Sequence, residues 1–426
     1  VKEIANSNSL IGGEVLMKLL HFADAHIGIE THGKIDPATG LNLRLLDFVR
    51  CLEKVVDTAI ERRVDAVLFA GDAYDYANPT PTYQKMFGGQ IKRLSDEGIP
   101  TIMITGNHDM PVSVGRISPL ELFGVLGVPN VYVATKPHIF RLTTQSGGLQ
   151  VACLPYPNRS LLLAKEQMRY MSDEQIAKEM EAICANVISK MAEEISPDVP
   201  AVLLAHISVA NAVYSGSERT AILGAEPSLF LSALALPQFT YVALGHIHKH
   251  QDLNPSGSPH VVYSGSIERC DFSEEGERKG FCIVHIDGGV QVEFVETPAR
   301  RYITIDVDLR GESNPTMALI NAIREKDIKD AIVRIRYRCT ERQSEVLNLK
   351  AVGEVLEEAF KVVSISRYIE DEAHRRQPRA AVTEEMDVIE ALRRYIRHKE
   401  EWKELEEDLL KYARELEKEL SDRLVG

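Results

Sequence analysis

The sequence predicts an α/β fold: a sandwich of strands and helices, followed by a smaller α+β unit and a helical tail. Three observations carry this. Five apolar runs of strand length each end in a polar turn that bears Asp, Asn or His. From Met17 to about residue 295, stretches of helical periodicity alternate with such runs, which is the pattern of a layered α/β protein. Behind a basic, proline-containing segment, residues 383–425 contain no Gly or Pro and repeat apolar side chains at heptad spacing.

Composition bounds the reading. A chain of 426 residues suggests two or three domains. Its 44% hydrophobic and 26% charged residues are values of a soluble globular protein with a substantial core. No run of eighteen apolar residues exists, so a transmembrane helix and a membrane role are not expected. The six cysteines are scattered, without Cys-x-x-Cys spacing and mostly within apolar runs. They read as core thiols in a reducing compartment, the cytoplasm. A net charge of −14 argues against a protein that coats DNA, but not against one that grips DNA through metals and local basic patches. Residues 1–16 lack the basic and apolar regions of a signal peptide. They read as a leader or expression remnant ahead of a natural-looking start at Met17.

The five strand ends come first in importance. The run Leu19-Leu20-His21-Phe22-Ala23 ends in Asp24-Ala25-His26. Ala66-Val67-Leu68-Phe69-Ala70 ends in Gly71-Asp72, and Thr101-Ile102-Met103-Ile104-Thr105 in Gly106-Asn107-His108-Asp109. Ala201-Val202-Leu203-Leu204-Ala205 ends in His206, and Tyr241-Val242-Ala243-Leu244 in Gly245-His246-Ile247-His248, where the glycine lets the chain turn. An open α/β sheet places its ligand at such strand ends. Imidazole, carboxylate and one amide oxygen suit a borderline divalent metal. The lack of a thiolate argues against a closed structural zinc site. The donors are too many for one ion and about right for two ions that share a carboxylate. Asp72, alone after its strand and glycine, is the expected bridge.

This motif series resembles the calcineurin-like metallophosphoesterases. The stretches 17–28 and Tyr263-Ser264-Gly265-Ser266-Ile267-Glu268-Arg269 are similar to SbcD-type nucleases of DNA double-strand-break repair. The resemblance implies an α/β/β/α sandwich over 17–298 and two divalent metal ions, Mn2+ in this family. It places Asp24, His26, Asp72 and His248 on one metal, and Asp72, Asn107, His206 and His246 on the other. His108 is then a proton donor to the leaving oxygen or an electrostatic stabiliser, and Asp109 orients it. Asp75 stands where many archaeal and eukaryotic members carry histidine, which points to the bacterial branch. The implied activities are double-strand exonuclease and single-strand endonuclease, in a homodimer bound to an SMC-like ATPase, SbcC in bacteria. The metal motifs alone also serve phosphoesterases of nucleotides or phosphoproteins.

The remaining elements follow in order. Residues 43–63 are amphipathic and link the first two ligand strands. Helical patterns at 80–97 and 118–126 carry Tyr83, Met86, Phe87, Leu120, Leu122, Phe123 and Leu126, which face the core or, as the resemblance implies, a second copy. Ser172-Asp173-Glu174-Gln175 opens a long scaffold helix with a capping box. The loop 207–219 lines a substrate groove or is plain surface, and Glu268, Arg269 and Asp271 contact substrate or pair charges.

From 299 to 372 the pattern is β-α-β-α-β, with strands at 302–309, 332–339 and 362–368 and helices at 315–324 and 345–360. This unit matches the DNA-capping domain of the resembling family. Arg334, Arg336 and Arg338 share one face of its middle strand. They bind DNA phosphate or pair with Asp306 and Asp308; both readings stand. Residues 373–382 form a linker, and 383–426 a helical tail. Its first apolar set is Ile389, Leu392 and Ile396. Trp402, Leu405, Leu409, Tyr412 and Leu416 form a heptad seam that packs on the body or seeks an external partner. The resemblance implies the coiled coil of the ATPase; because an apolar seam this long is costly to leave in water, the tail is expected to be largely helical only when bound.

Overall fold

The structure is a computed structural model that describes residues 17–111, 116–157, 171–218, 226–369, 389, 392–393, 396 and 406–414. Strands β1 (Met17–Phe22), β2 (Ala66–Phe69), β3 (Thr101–Ile104) and β4 (Val131–Ala134) are parallel neighbours. With β13 (Gly280–Ile286) and β14 (Val290–Glu296) they form a six-stranded sheet of order β14-β13-β1-β2-β3-β4. A second sheet of order β11-β12-β10-β7-β6-β5 joins β5 (His138–Thr144), β6 (Gly147–Leu154), β7 (Ala201–His206), β10 (Tyr241–Gly245), β11 (Gln251–Asp252) and β12 (His260–Tyr263). A two-stranded ribbon pairs β8 (Ser208–Val209) with β9 (Ser228–Leu229).

The central strands read as unbroken apolar runs because both of their faces are buried. Successive side chains alternate between two cores. In β1, Leu20 and Phe22 meet helix α1 (Leu43–Glu61) through Phe48, Leu52 and Val55. Leu19, on the other face, packs in the layer between the sheets with Leu68, Ile102, Val202, Leu204, Tyr241 and Ala243. On the second sheet Leu203, Ala205, Val242 and Leu244 face Cys184 and Ile188. Four layers result, helix on sheet on sheet on helix, as expected.

Helix α1 opens with Asn42, whose side chain accepts from Arg44 N–H, and α2 (Pro81–Asp96) with Thr80 and a proline in its first turn. The pattern at 118–126 becomes only α3 (Glu121–Val125), set behind Pro119, with Gly124 inside it and Gly127 just after it. Phe87 and Leu120 are buried, whereas Val125 and Leu126 are 76% and 74% exposed. Helix α4 (Asp173–Glu193) has the expected capping box between Ser172 and Gln175. A short α5 (Leu231–Leu234) precedes β10. All six cysteines are buried free thiols.

The third sheet, β15 (Tyr302–Asp308), β16 (Ile332–Cys339) and β17 (Lys361–Ile369), has the order β15-β16-β17, with α6 (Pro315–Arg324) between its first two strands. The expected helix 345–360 is broken into α7 (Glu341–Val346), α8 (Leu349–Val355) and a 3-10 turn at Leu356–Glu358. Leu347 leaves the helical region, and the Asn348 N–H is taken by the Thr316 hydroxyl at 2.9 Å. The chain divides into two compact units. Ile320–Arg336 and Lys350–Ser366 belong with the two large sheets, while Val307–Leu319 and Tyr337–Leu349 belong to the second unit. The division between the units falls within β15, β16 and β17.

Within the first unit the arginine face is partly occupied. Arg336 makes two bonds to Asp306 at 2.7 and 2.6 Å. Arg334 donates to Thr304 Oγ1 at 2.8 Å and lies over the Phe272 ring. In the second unit Asp308 pairs with Arg310, and Arg338 is exposed. Of the tail, the described residues 406–414 are helical, and Ile389, Ile396 and Leu410 bury one another with Leu392, Leu409 and Ala413 packed alongside. Tyr412 is exposed. Trp402, Leu405 and Leu416, the linker 373–382 and residues 1–16 lie outside the described residues. No described helix is long and apolar enough to cross a membrane.

Candidate metal centre

Parallel strands send their carboxyl ends the same way, so the turns after β1, β2, β3, β7 and β10 meet at one edge of the two packed sheets. Close backbone approach makes this possible. A Cβ on Gly245 would lie 2.2 Å from the Ala70 carbonyl oxygen, one on Gly71 2.5 Å from His206 Nδ1, and one on Gly106 2.1 Å from Asp72 Oδ1. Gly245 is thus needed for contact rather than for turning. The left-handed turn falls on His246 (φ 96°), and Asp24, His26 and Asp72 are left-handed as well (φ 52°, 41° and 59°). Non-glycine residues hold this conformation at a cost of about 1–3 kcal/mol each, which concentrates such strain at functional sites.

All seven expected ligands come together. Asp24, His26 and His248 form one buried group, and Asp72, His206 and His246 another. His26 Nε2 is 3.0 Å from His248 Nε2, and Asp72 Oδ2 stands 3.9 Å from His26 Nε2 and 3.3 Å from His206 Nε2. Asp72 therefore lies between the groups. Asn107 Oδ1 is 3.0 Å from both His206 Nε2 and His246 Nδ1. The Asp24 carboxylate also accepts the His246 N–H at 3.0 Å.

Outer contacts fix which nitrogen of each ring faces inward. His206 Nδ1 donates to the Ala70 carbonyl at 2.6 Å, which leaves Nε2 as the inner atom. His246 turns the other way, with Nδ1 inward and Nε2 at 3.0 Å from Glu226 Oε1, an ion-pair distance without hydrogen-bond alignment. Tyr156 donates its hydroxyl to the same Glu226 oxygen. His248 Nδ1 is 2.8 Å from Glu274 Oε1, and its backbone N–H donates to Glu218 at 2.6 Å. Glu226, Tyr156, Glu274 and Glu218 were missed by sequence reasoning. They are single residues outside the ligand-bearing strand ends, with no spacing to mark them.

His108 sits against this edge. Its ring is 4.8 Å from that of His26, its N–H donates to Asp72 Oδ1 at 2.8 Å, and its Nδ1 donates to the Asp75 carbonyl at 2.6 Å. The expectation that Asp109 orients His108 is corrected. The Asp109 carboxylate accepts three backbone N–H groups, from Asp72 (2.8 Å), Ala73 (3.0 Å) and Gly106 (3.0 Å). Asp109 thus lies under the Asp72 turn, while the backbone of Asp75 holds His108. Glu268 pairs with buried Arg44 rather than facing the centre, and Arg269 donates to backbone carbonyls.

The electrostatics follow from burial and mutual charge. Burial alone would raise the Asp72 carboxyl, but the imidazoles of His206 and His108 outweigh it and hold the group well below the usual carboxylate range. Burial would lower His206; Asp72 overrides it and lifts the ring to about 9. His108 is raised in the same way, against burial, by Asp72 and the Asp75 carbonyl. Burial drives His26 well below its ordinary value, helped by His108 and His248. Asp24 and Asp109 are pushed up by burial, Asp109 to about 7.

The family of calcineurin-like phosphoesterases matches residues 17–250. This chain belongs to that family. It is 29% identical over 283 residues, 66% of its own length and 69% of the relative's, to a Bacillus subtilis (strain 168) protein named as one of the subunits of the nuclease SbcCD. Two solved structures align over much of it. A Thermus thermophilus protein has 15% identity and a TM-score of 0.37, over 66% of this chain and 99% of its own. A Danio rerio dimetal phosphatase has 10% identity and a TM-score of 0.38, over 67% and 97%. As a calcineurin-like phosphoesterase the chain is a metal-dependent enzyme with divalent ions. The residues fit that requirement. The facing atoms are oxygen and nitrogen acceptors with no paired cationic Lys or Arg side chain among the described residues there, and the outer contacts of His206 and His248 leave their Nε2 atoms facing inward.

Proposed function

We propose that this phosphoesterase is a DNA nuclease with two Mn2+ ions. Asp24, His26, Asp72 and His248 hold one, and Asp72, Asn107, His206 and His246 the other. The observation that carries the reading is Asp72, whose carboxylate stands within 3.9 Å of His26 on one side and 3.3 Å of His206 on the other. When bound, the ions supply Lewis acidity and a water of lowered pKa for in-line attack on phosphorus. His108 does the proton work of the chain itself. Its Nδ1 is engaged by the Asp75 carbonyl, so Nε2 is the atom that donates to the leaving oxygen.

Similarity to a protein named as a subunit of a nuclease supports DNA as substrate, by double-strand exonuclease and single-strand endonuclease cleavage in DNA repair and recombination. It likewise supports a cytoplasmic, nucleoid-associated complex with an SbcC-like ATPase. Residues 17–298 serve as nuclease domain, 299–372 as DNA cap, with Arg338 the exposed member of the arginine face toward DNA, and 383–426 as ATPase-binding tail. The exposed Val125 and Leu126 on and after α3 support a homodimer contact there. The test is a metal-by-substrate panel on the purified chain. Mn2+-dependent cleavage of linear duplex and circular single strands is expected. Hydrolysis confined to nucleotides or phosphoproteins would make the chain a phosphatase instead.

A further inference from the structure

We propose that Glu274 is a positioning residue, which sets the inward-facing nitrogen of His248, and that Lys279 is buried to hold Glu274 in that role. The proposal rests on the reading of His248 as a metal ligand. Glu274 ends a short 3-10 turn, Phe272–Glu274, and is fully buried. Its Oε1 lies 2.8 Å from His248 Nδ1 and accepts the Ser217 hydroxyl at 2.7 Å. Its Oε2 lies 2.9 Å from Lys279 Nζ and accepts the Cys270 N–H at 2.9 Å. A carboxylate only accepts, so the His248 proton must sit on Nδ1 and the lone pair on Nε2. That Nε2 is the atom 3.0 Å from His26 Nε2.

His248, Cys270 and Glu274 are also close enough to suggest an ion of their own. Lys279 argues against it. Its ammonium already neutralises Glu274, donates to the His248 carbonyl at 3.1 Å, and would repel a dication there. A buried pair of this kind adds little net stability over an apolar filling of similar volume. What it does supply is a carboxylate that stays ionised and fixed. The turn is clamped on its outer side too. Glu275 accepts the Thr304 N–H at 2.7 Å, and the Arg334 guanidinium stacks over Phe272 at 4.3 Å. His206 differs, since its Nδ1 meets a backbone carbonyl that no substitution removes.

The test is Mn2+ titration calorimetry on the metal-free full chain, with melting temperature recorded beside it. In Glu274→Gln the amide oxygen turns to Lys279 and the NH2 to His248 Nδ1, which moves the ring proton to Nε2. One of the two Mn2+ ions should then bind about 10–100-fold more weakly. The other ion and the melting temperature should be unchanged. Glu274→Asp is the second variant. It keeps the charge for Lys279 but falls short of Nδ1, so it should weaken the same single ion, and it decides the matter if Glu274→Gln does not fold. Native affinity for both ions in the variants overturns the proposal. So does equal weakening of both ions together with a lower melting temperature, which marks a structural role. If the native chain itself binds no pair of Mn2+ ions, the metal centre is wrong and the proposal falls with it.

Discussion

Asp72 Oδ2 and His206 Nε2 lie 3.3 Å apart, although β2 belongs to one sheet and β7 to the other. The centre is therefore a product of sheet packing through the layer that contains Leu68 and Leu204. Asp72 also receives the His108 N–H, so one carboxylate ties three of the five turns. Asp72→Asn removes the charge between the two groups. We expect both Mn2+ ions and all hydrolysis to be lost, read by metal analysis of the purified protein. Retention of one ion would show that Asp72 does not bridge.

His108→Ala separates proton transfer from metal binding. The ring is held by the Asp75 carbonyl and faces His26 edge-on; it lies near enough to His26 and Asp72 to share an ion with them, but outside the Asp72, His206 and His246 group. Metal content should stay native while turnover falls by about 10²–10⁴-fold. An equal fall in metal content would make His108 a ligand.

What was legible in the sequence was what a local pattern can encode. The seven proposed ligands stand at the ends of apolar runs, and strand period and polar turn together bring them out. The supporting groups had no such signature. Asp109 looked like a partner for its neighbour His108, yet only the folded turn shows its carboxylate under Asp72. Asp75 acts through a backbone carbonyl, which any residue type carries. Glu226 and Glu274 are recognisable as carboxylates behind imidazoles only once distant loops have packed. The helix expected at 345–360 failed for a similar reason, since the Thr316 hydroxyl that captures Asn348 is thirty-two residues away.

His21 gives stability a pH dependence. It is wholly buried between the sheets, with Nδ1 3.0 Å from the Tyr241 hydroxyl and Nε2 3.1 Å from the Leu244 carbonyl. Burial lowers its pKa from 6.5 to about 3. The unfolded chain therefore takes up this proton first as pH falls. The contribution is fully present above pH 6.5 and is lost progressively down to about pH 3, with a slope of up to about 1.4 kcal/mol per pH unit. Denaturant melts of metal-free protein between pH 7 and 5 should show it, and His21→Gln should flatten it. An unchanged slope in the variant would assign the effect to other groups.

The arginine face divides into two kinds of residue. Arg334 is engaged with Thr304 and Phe272, whereas Arg338 is exposed on the same strand. Arg338→Glu should weaken duplex binding and reduce its salt slope by about 1 while melting temperature holds. Arg334→Ala should lower the melting temperature. Unchanged duplex affinity in Arg338→Glu would leave this face to structure alone.

The tail makes a division of labour that its sequence did not show. Ile396 is fully buried and Leu410 nearly so, each within the tail's own apolar cluster, while Tyr412 on the same helix as Leu410 is 69% exposed. Of the heptad seam, Leu409 packs on this cluster and Tyr412 does not, and the described tail residues are helical. A segment that buries some of its apolar residues internally can still present an aromatic anchor outward, and aromatic anchors of this kind often dominate the energetics of an interface. Ile396→Ala should therefore reduce helicity, because removal of a buried Ile side chain costs about 2–5 kcal/mol. Tyr412→Ala should keep helicity and weaken capture of the coiled-coil ATPase by at least about tenfold, about 1.4 kcal/mol. Removal of the chain after Pro378 should abolish that capture and leave metal content and basal hydrolysis native. Capture that survives the truncation, or metal that leaves with the tail, would show that 383–426 serves the protein's own body and not a partner.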